Sequence, residues 1–164
     1  MWTLAAAAGL AATVLAGGVV LPGQTPVGAS LASPQPIAAV AMVTTPDGGG
    51  YWTVRDDGTV SPEGDAPTLG DVSSARLNRP IVGMAATPDG HGYWLVASDG
   101  GIFAFGDATF YGSTGAMTLN QPIVGMTATG DGRGYWLVAS DGGIFAFGDA
   151  AFDGSTGAIT LNQP

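Results

Sequence analysis

The chain has 164 residues, 46% of them apolar, and a net charge of −9 from 13 acidic residues against four Arg and no Lys. That balance excludes a surface of clustered cations, and with it nucleic acid and anionic lipid as partners. The absence of Cys excludes disulfides and thiolate metal sites, while 28 Gly and 11 Pro among many Val, Ile, Phe, Tyr and Trp point to short strands and tight turns.

The first segment stands apart. Leu4 to Leu21 is apolar apart from Thr13 and the glycines, is closed by Pro22, and is long enough to span a bilayer. A small-residue site follows at Val27-Gly28-Ala29. Residues 1–29 therefore read as a secretory signal peptide cleaved after Ala29, although Met1-Trp2-Thr3 supplies no basic side chain. The alternative is an uncleaved anchor, which is the chain's only expected route to a membrane. Residues 30–35 read as a linker.

From there the chain repeats itself. Residues 80–121 align without a gap on residues 122–163, and 36 of the 42 positions are identical. The six differences are Ala85/Thr127, Pro88/Gly130, His91/Arg133, Thr109/Ala151, Tyr111/Asp153 and Met117/Ile159. A decayed copy precedes them over residues 36–79. Its Tyr51-Trp52 lies 42 residues before Tyr93-Trp94, and two additional residues before Tyr51 place its opening near Pro36. The third copy, 122–164, ends on the first residue of what would be a fourth, so the array reads as truncated.

Each unit predicts a four-stranded antiparallel meander. In the second copy Ile81 to Thr87 is an apolar run ended by the turn signal Pro88-Asp89-Gly90. Tyr93 to Ser98 follows and is broken by Asp99-Gly100-Gly101, a tight-hairpin signal. Ile102 to Phe105 alternates, with both phenylalanines on one face. Thr109 to Gly112 supplies the fourth strand, and no window after residue 36 has a helical period. A meander of this size cannot bury both faces alone, so the units must stack, with Phe103 and Phe145 buried at matching places. In the first copy Ser61-Pro62-Glu63 replaces Phe-Ala-Phe. Pro interrupts a ladder and Glu is costly between sheets, so this copy reads as a terminal cap or a decaying unit.

The unit with its GYWLVASDGGIFAFGDA core resembles a tandem repeat of secreted and cell-surface proteins of high-GC bacteria. The likeness is strong in the last two copies and weak in the first. It implies blades of a β-propeller, accompanying cell-wall or carbohydrate-active modules. Thr45, Asp47, Gly49 and Trp52 also resemble the Asp-box turn of sialidase-like propellers, although His91 and Arg133 replace the glycine in later copies. That turn implies fold rather than catalysis. Propellers have four to eight blades, so three units form part of one, and an open blade face predicts self-association. A β-trefoil, built from three four-stranded units, is the alternative fold.

No enzyme is expected. His91 has Arg133 in the sister copy, so no base recurs. The recurring Asp89, Asp99 and Asp107 each adjoin Gly, where Asx-turn bonding accounts for them. Repetition also gives them like environments, whereas a catalytic carboxylate pair needs unlike ones. Asp-Gly loops suit calcium, but neither the EF-hand loop nor the nonapeptide repeat is present, so no metal or cofactor is expected. The favoured role is non-catalytic binding or adhesion at the cell envelope, to a cell-wall or extracellular glycan or to a protein partner. A scaffold for a catalytic domain outside this chain is the alternative. Tyr93-Trp94 and Tyr135-Trp136 place one ring on each strand face, so one of each pair is a candidate sugar platform unless both rings pack between units. His91, Arg133, Tyr111 and Asp153 complete the candidate set, at variable turn tips and a late strand.

Overall fold

The structure, a computed structural model, describes residues 38–157. The expected signal segment, the linker and the last residues of the third unit lie outside the described residues. Each unit forms its own three-stranded antiparallel sheet. The first contains β1 (Ala39–Thr44), β2 (Gly50–Arg55) and β3 (Val60–Gly64). The second contains β4 (Ile81–Ala86), β5 (Gly92–Ala97) and β6 (Ile102–Gly106). The third contains β7 (Ile123–Ala128), β8 (Gly134–Ala139) and β9 (Ile144–Gly148). No described residue is helical.

The three sheets share one register. Ala39 faces Arg55 as Ile81 faces Ala97 and Ile123 faces Ala139, each followed by a bulge. The first copy's two additional residues thus fall upstream of β1. The second hairpin turns at Ser98-Asp99-Gly100. Gly100 takes φ +80°, which glycine adopts without the steric cost of a Cβ. The Asp99 carboxylate accepts the Gly101 N–H at 3.0 Å.

Two sequence expectations need correction. Thr109 to Gly112 is not a fourth strand, because side chains take its backbone hydrogen bonds. The Trp94 indole donates to Thr109 O at 2.8 Å, and the Tyr135 hydroxyl donates to Gly112 O at 2.6 Å. The segment runs off its own sheet onto the next. Pro62 does not interrupt a ladder either. It sits within β3, an edge strand paired only with β2, where a missing N–H costs little.

The sheets stack face to face. Trp52, Val54 and Val72 of the first unit pack on Ile81, Met84, Tyr93, Leu95 and Ala97 of the second. Ala85, Trp94 and Val96 of the second pack on Ile123, Tyr135, Leu137 and Ala139 of the third. Every residue of β5 is buried, because both its faces are covered. Among the described residues no strand of one unit pairs with a strand of another, so the units do not form a trefoil. Phe103 and Phe145 do occupy matching places, but both are half-buried, on edge strands β6 and β9. The sheets meet most closely through β1, β4 and β7 and fan apart toward their third strands. Backbone bonds pin that inner edge, from Ile81 N to Asp56 O and from Ile123 N to Ser98 O, both 2.9 Å.

Candidate binding face at the strand turns

The turn between the first two strands of each unit is held by one hydroxyl. Thr87 donates to Asp89 Oδ1 at 2.7 Å and accepts the Gly92 N–H at 2.9 Å. Asp89 Oδ1 also accepts the His91 N–H at 3.1 Å. Thr45 with Asp47 and Thr129 with Asp131 repeat the arrangement at 2.7 and 2.8 Å. Gly92 is required for a close approach, because a Cβ there would lie 2.5 Å from Ala108 N. A second carboxylate arrives from the end of the sheet's third strand. Asp107 Oδ1 stands 3.3 Å from the Thr87 hydroxyl, as Asp65 stands 3.5 Å from Thr45.

These bonds set the charge state of the turns. The Thr87 hydroxyl and the His91 N–H hold the Asp89 carboxyl well below the usual carboxylate range. The Thr45 hydroxyl lowers Asp47 in the same sense. At Asp131 the largest cause is Arg133, followed by Thr129. The carboxylates stay ionised and committed as acceptors, which suits turn-building rather than proton transfer.

What varies is the residue at the turn's tip. Gly49 leaves the first pair of carboxylates uncovered. His91 Nδ1 lies 3.6 Å from Asp89 Oδ2, and Asp89, His91 and Asp107 bring ligand atoms within 4.8 Å of one another, all three exposed. In the third unit the guanidinium of Arg133 spans Asp131 at 2.6 Å and Asp149 at 3.5 Å. The protein supplies its own cation there. Between the first two tips lies a cleft of about 390 Å³ lined by Pro46, Asp47, Asp65, Pro67, Asp89 and His91.

The structure separates the sequence candidates. His91 and Arg133 are exposed on this face. Tyr93, Trp94 and Tyr135 are each at most 1% exposed, packed between sheets. Trp52 and Tyr93 meet at 5.6 Å between ring centroids, Trp94 and Tyr135 at 5.7 Å. Burial pushes the Tyr93 phenol up to about 12, with the charge of Asp71 adding to it. These three rings offer no platform to a surface ligand. Trp136 is half-buried on the face of the third sheet that no other described sheet covers, apart from the turn tips. Tyr111 is half-buried and latches onto the next unit, its hydroxyl 3.1 Å from Gly132 O and its ring 5.8 Å from Tyr135. Asp153, in the equivalent place, is exposed. The Asp-box likeness and the Asx-turn expectation place Thr87 and Asp107 in turns, but the contact between them, twenty residues apart, is not legible in the sequence.

No family model matches the chain, and no protein of curated function does. Solved structures do match. The β-propeller domain of Cps50 (Swd1) from Myceliophteria thermophila is similar over 71% of this chain and 37% of that one, at 10% identity and a TM-score of 0.50. Hydrazine synthase of Kuenenia stuttgartiensis is similar over 74% of this chain and 36% of that one, at 14% identity and a TM-score of 0.52. The chain spans little more than a third of either. Three antiparallel sheets, fanned from their first strands and alike in form to propeller domains, make this a partial β-propeller.

Proposed function

We propose that the chain is a secreted, non-catalytic binding module of the cell envelope that takes a hydroxyl-rich glycan at the row of turn tips. One observation carries the reading. The last two copies agree at every buried position except Ala85/Thr127, while Pro88/Gly130, His91/Arg133 and Thr109/Ala151 are exposed in both. A rigid frame with variable exposed tips is the usual layout of a binding surface. The carboxylates of Asp47, Asp65 and Asp89 line the cleft as fixed acceptors for sugar hydroxyls, and their engagement in turns supports a role without catalysis. Secretion rests on the apolar segment and the site at Ala29.

Co-sedimentation with purified peptidoglycan tests the proposal. The chain should pellet with it, and the double variant His91→Gly, Arg133→Gly should bind several-fold more weakly while unfolding at the same temperature. Failure of the unaltered chain to bind, or equal binding by the variant, would refute this reading. The near-identity of the copies at their packing positions favours the scaffold as a second reading, which predicts no binding at all. Secretion predicts a mature chain that begins at Ser30, read by mass spectrometry of the exported protein.

A further inference from the structure

The two ends of the stack are chemically unlike. The second joint presses a trailing face of Trp, Val, Ile and Ala onto a leading face of Tyr, Leu, Ala and two Phe, and the first joint has Val60 and Pro62 in place of the Ile and Ala. Trp94 and Val96 are 0% exposed in such a joint, as are Tyr135 and Leu137 opposite them. The first sheet's leading face is different. Where the second unit has Leu95, Ala97, Phe103 and Phe105, the first has Thr53, Arg55, Ser61 and Glu63. Four apolar positions of a joint have become polar, as a terminal cap in a repeat stack requires. The third sheet's trailing face keeps the joint's apolar residues at its centre, namely Trp136, Val138, Ile144 and Ala146, with Val124 51% exposed beside them.

We propose that this trailing face is a docking surface for the leading face of another copy of the same repeat unit, and that the polar leading face of the first sheet does not serve as that partner. The occupant follows from the two joints already formed, which show what the face fits. Trp136 needs a tyrosine such as Tyr93 or Tyr135 opposite it, and Val138 needs a leucine. A second whole copy docking head to tail fails this requirement, because its leading face is the polar one. Of the two polar changes on this side, Asp153 in place of Tyr111 fits the same partner, whereas Thr127 in place of Ala85, which is buried in the second joint, has no structural explanation. Tyr111 lies beside Arg133 of the following unit, so Asp153 would lie beside an arginine at that position in the docked unit.

The chain contains no Cys, so single cysteines report coverage by their rate of reaction with a thiol reagent. Val96→Cys, inside a formed joint, should react slowly and show that the stack is intact. Val138→Cys in the full chain should react fast. A further copy of residues 123–163 fused after Pro164 should slow Val138→Cys on the order of a hundredfold, since buried thiols are unreactive. The control fusion carries Leu137→Thr, Ala139→Arg, Phe145→Ser and Phe147→Glu in the added copy, and should leave Val138→Cys fast. The added copy's own trailing Val and Ile are replaced by Lys in both fusions, so that its outer face does not associate. Slow reaction in neither fusion, or in both, would overturn the proposal. So would a discrete dimer of the unextended chain in which Val138→Cys is already slow, which would give the face to a second copy.

Discussion

Trp94 and Trp136 stand in the same hexapeptide, Gly-Tyr-Trp-Leu-Val-Ala, yet one ring is fully buried and the other half-buried. Local sequence is held constant, so the difference isolates what the neighbouring sheet contributes. Trp94→Ala should cost about 3–5 kcal/mol, the usual range for a large buried aromatic, whereas Trp136→Ala should cost about 1–2 kcal/mol. Urea denaturation of the two variants checks this, and equal losses would mean that both rings are covered alike. The aromatic pairs were legible in the sequence, but their exposure was not. Period-two alternation tells that Tyr93 and Trp94 point to opposite faces; it does not tell that both faces of β5 are covered. The phenols add a pH signature. The neutral form of Tyr93 is favoured in the fold, so its contribution to stability is present below the ordinary tyrosine value near 10 and is lost as pH rises through about 12. Absorbance titration should show its late ionisation coinciding with unfolding.

The strands and turns were largely readable because their signals are local. Pro88-Asp89-Gly90 and Asp99-Gly100-Gly101 place the turns where the structure has them, and the three main strands fall within a residue or so of expectation. Thr109 to Gly112 was misread because its partners are an indole on its own sheet and a phenol on the next, which no local pattern encodes. The Asp-box likeness marks Thr87 as a residue of its turn, but not how far its hydroxyl reaches. Its hydroxyl acts across five residues to Gly92 and twenty to Asp107. Thr87→Val should therefore cost about 1–3 kcal/mol, because the buried Gly92 N–H loses its acceptor; thermal unfolding would measure it. Asp47, Asp89 and Asp131 all have lowered carboxyl values. Their contribution is fully present above the unfolded value near 3.9 and is lost as pH falls through the lower folded values. The melting temperature should hold from neutral pH to about pH 4.5 and fall below about pH 4. A decline beginning near pH 6 would contradict the turn assignment.

At the scale of the molecule, repetition is what makes the fold legible. One sheet per period, each too small to bury itself, leaves stacking as the only way to cover the apolar faces, and the structure stacks them. The sequence did not disclose how unlike the two ends are. Ser61 and Glu63 were visible as departures, but Thr53 and Arg55 gain meaning only once β2 is known to share their face with β3. Stability in such an array is close to a sum of units and joints, so the middle sheet, held by two joints, should open last. Amide hydrogen exchange tests that claim most directly. The copies share sequence, but fragments retaining His91 or Arg133 tell β5 from β8. β5 should exchange on the order of tenfold or more slowly than β8, and equal exchange in the two strands would contradict a stack in which no described sheet covers the outer face of the third.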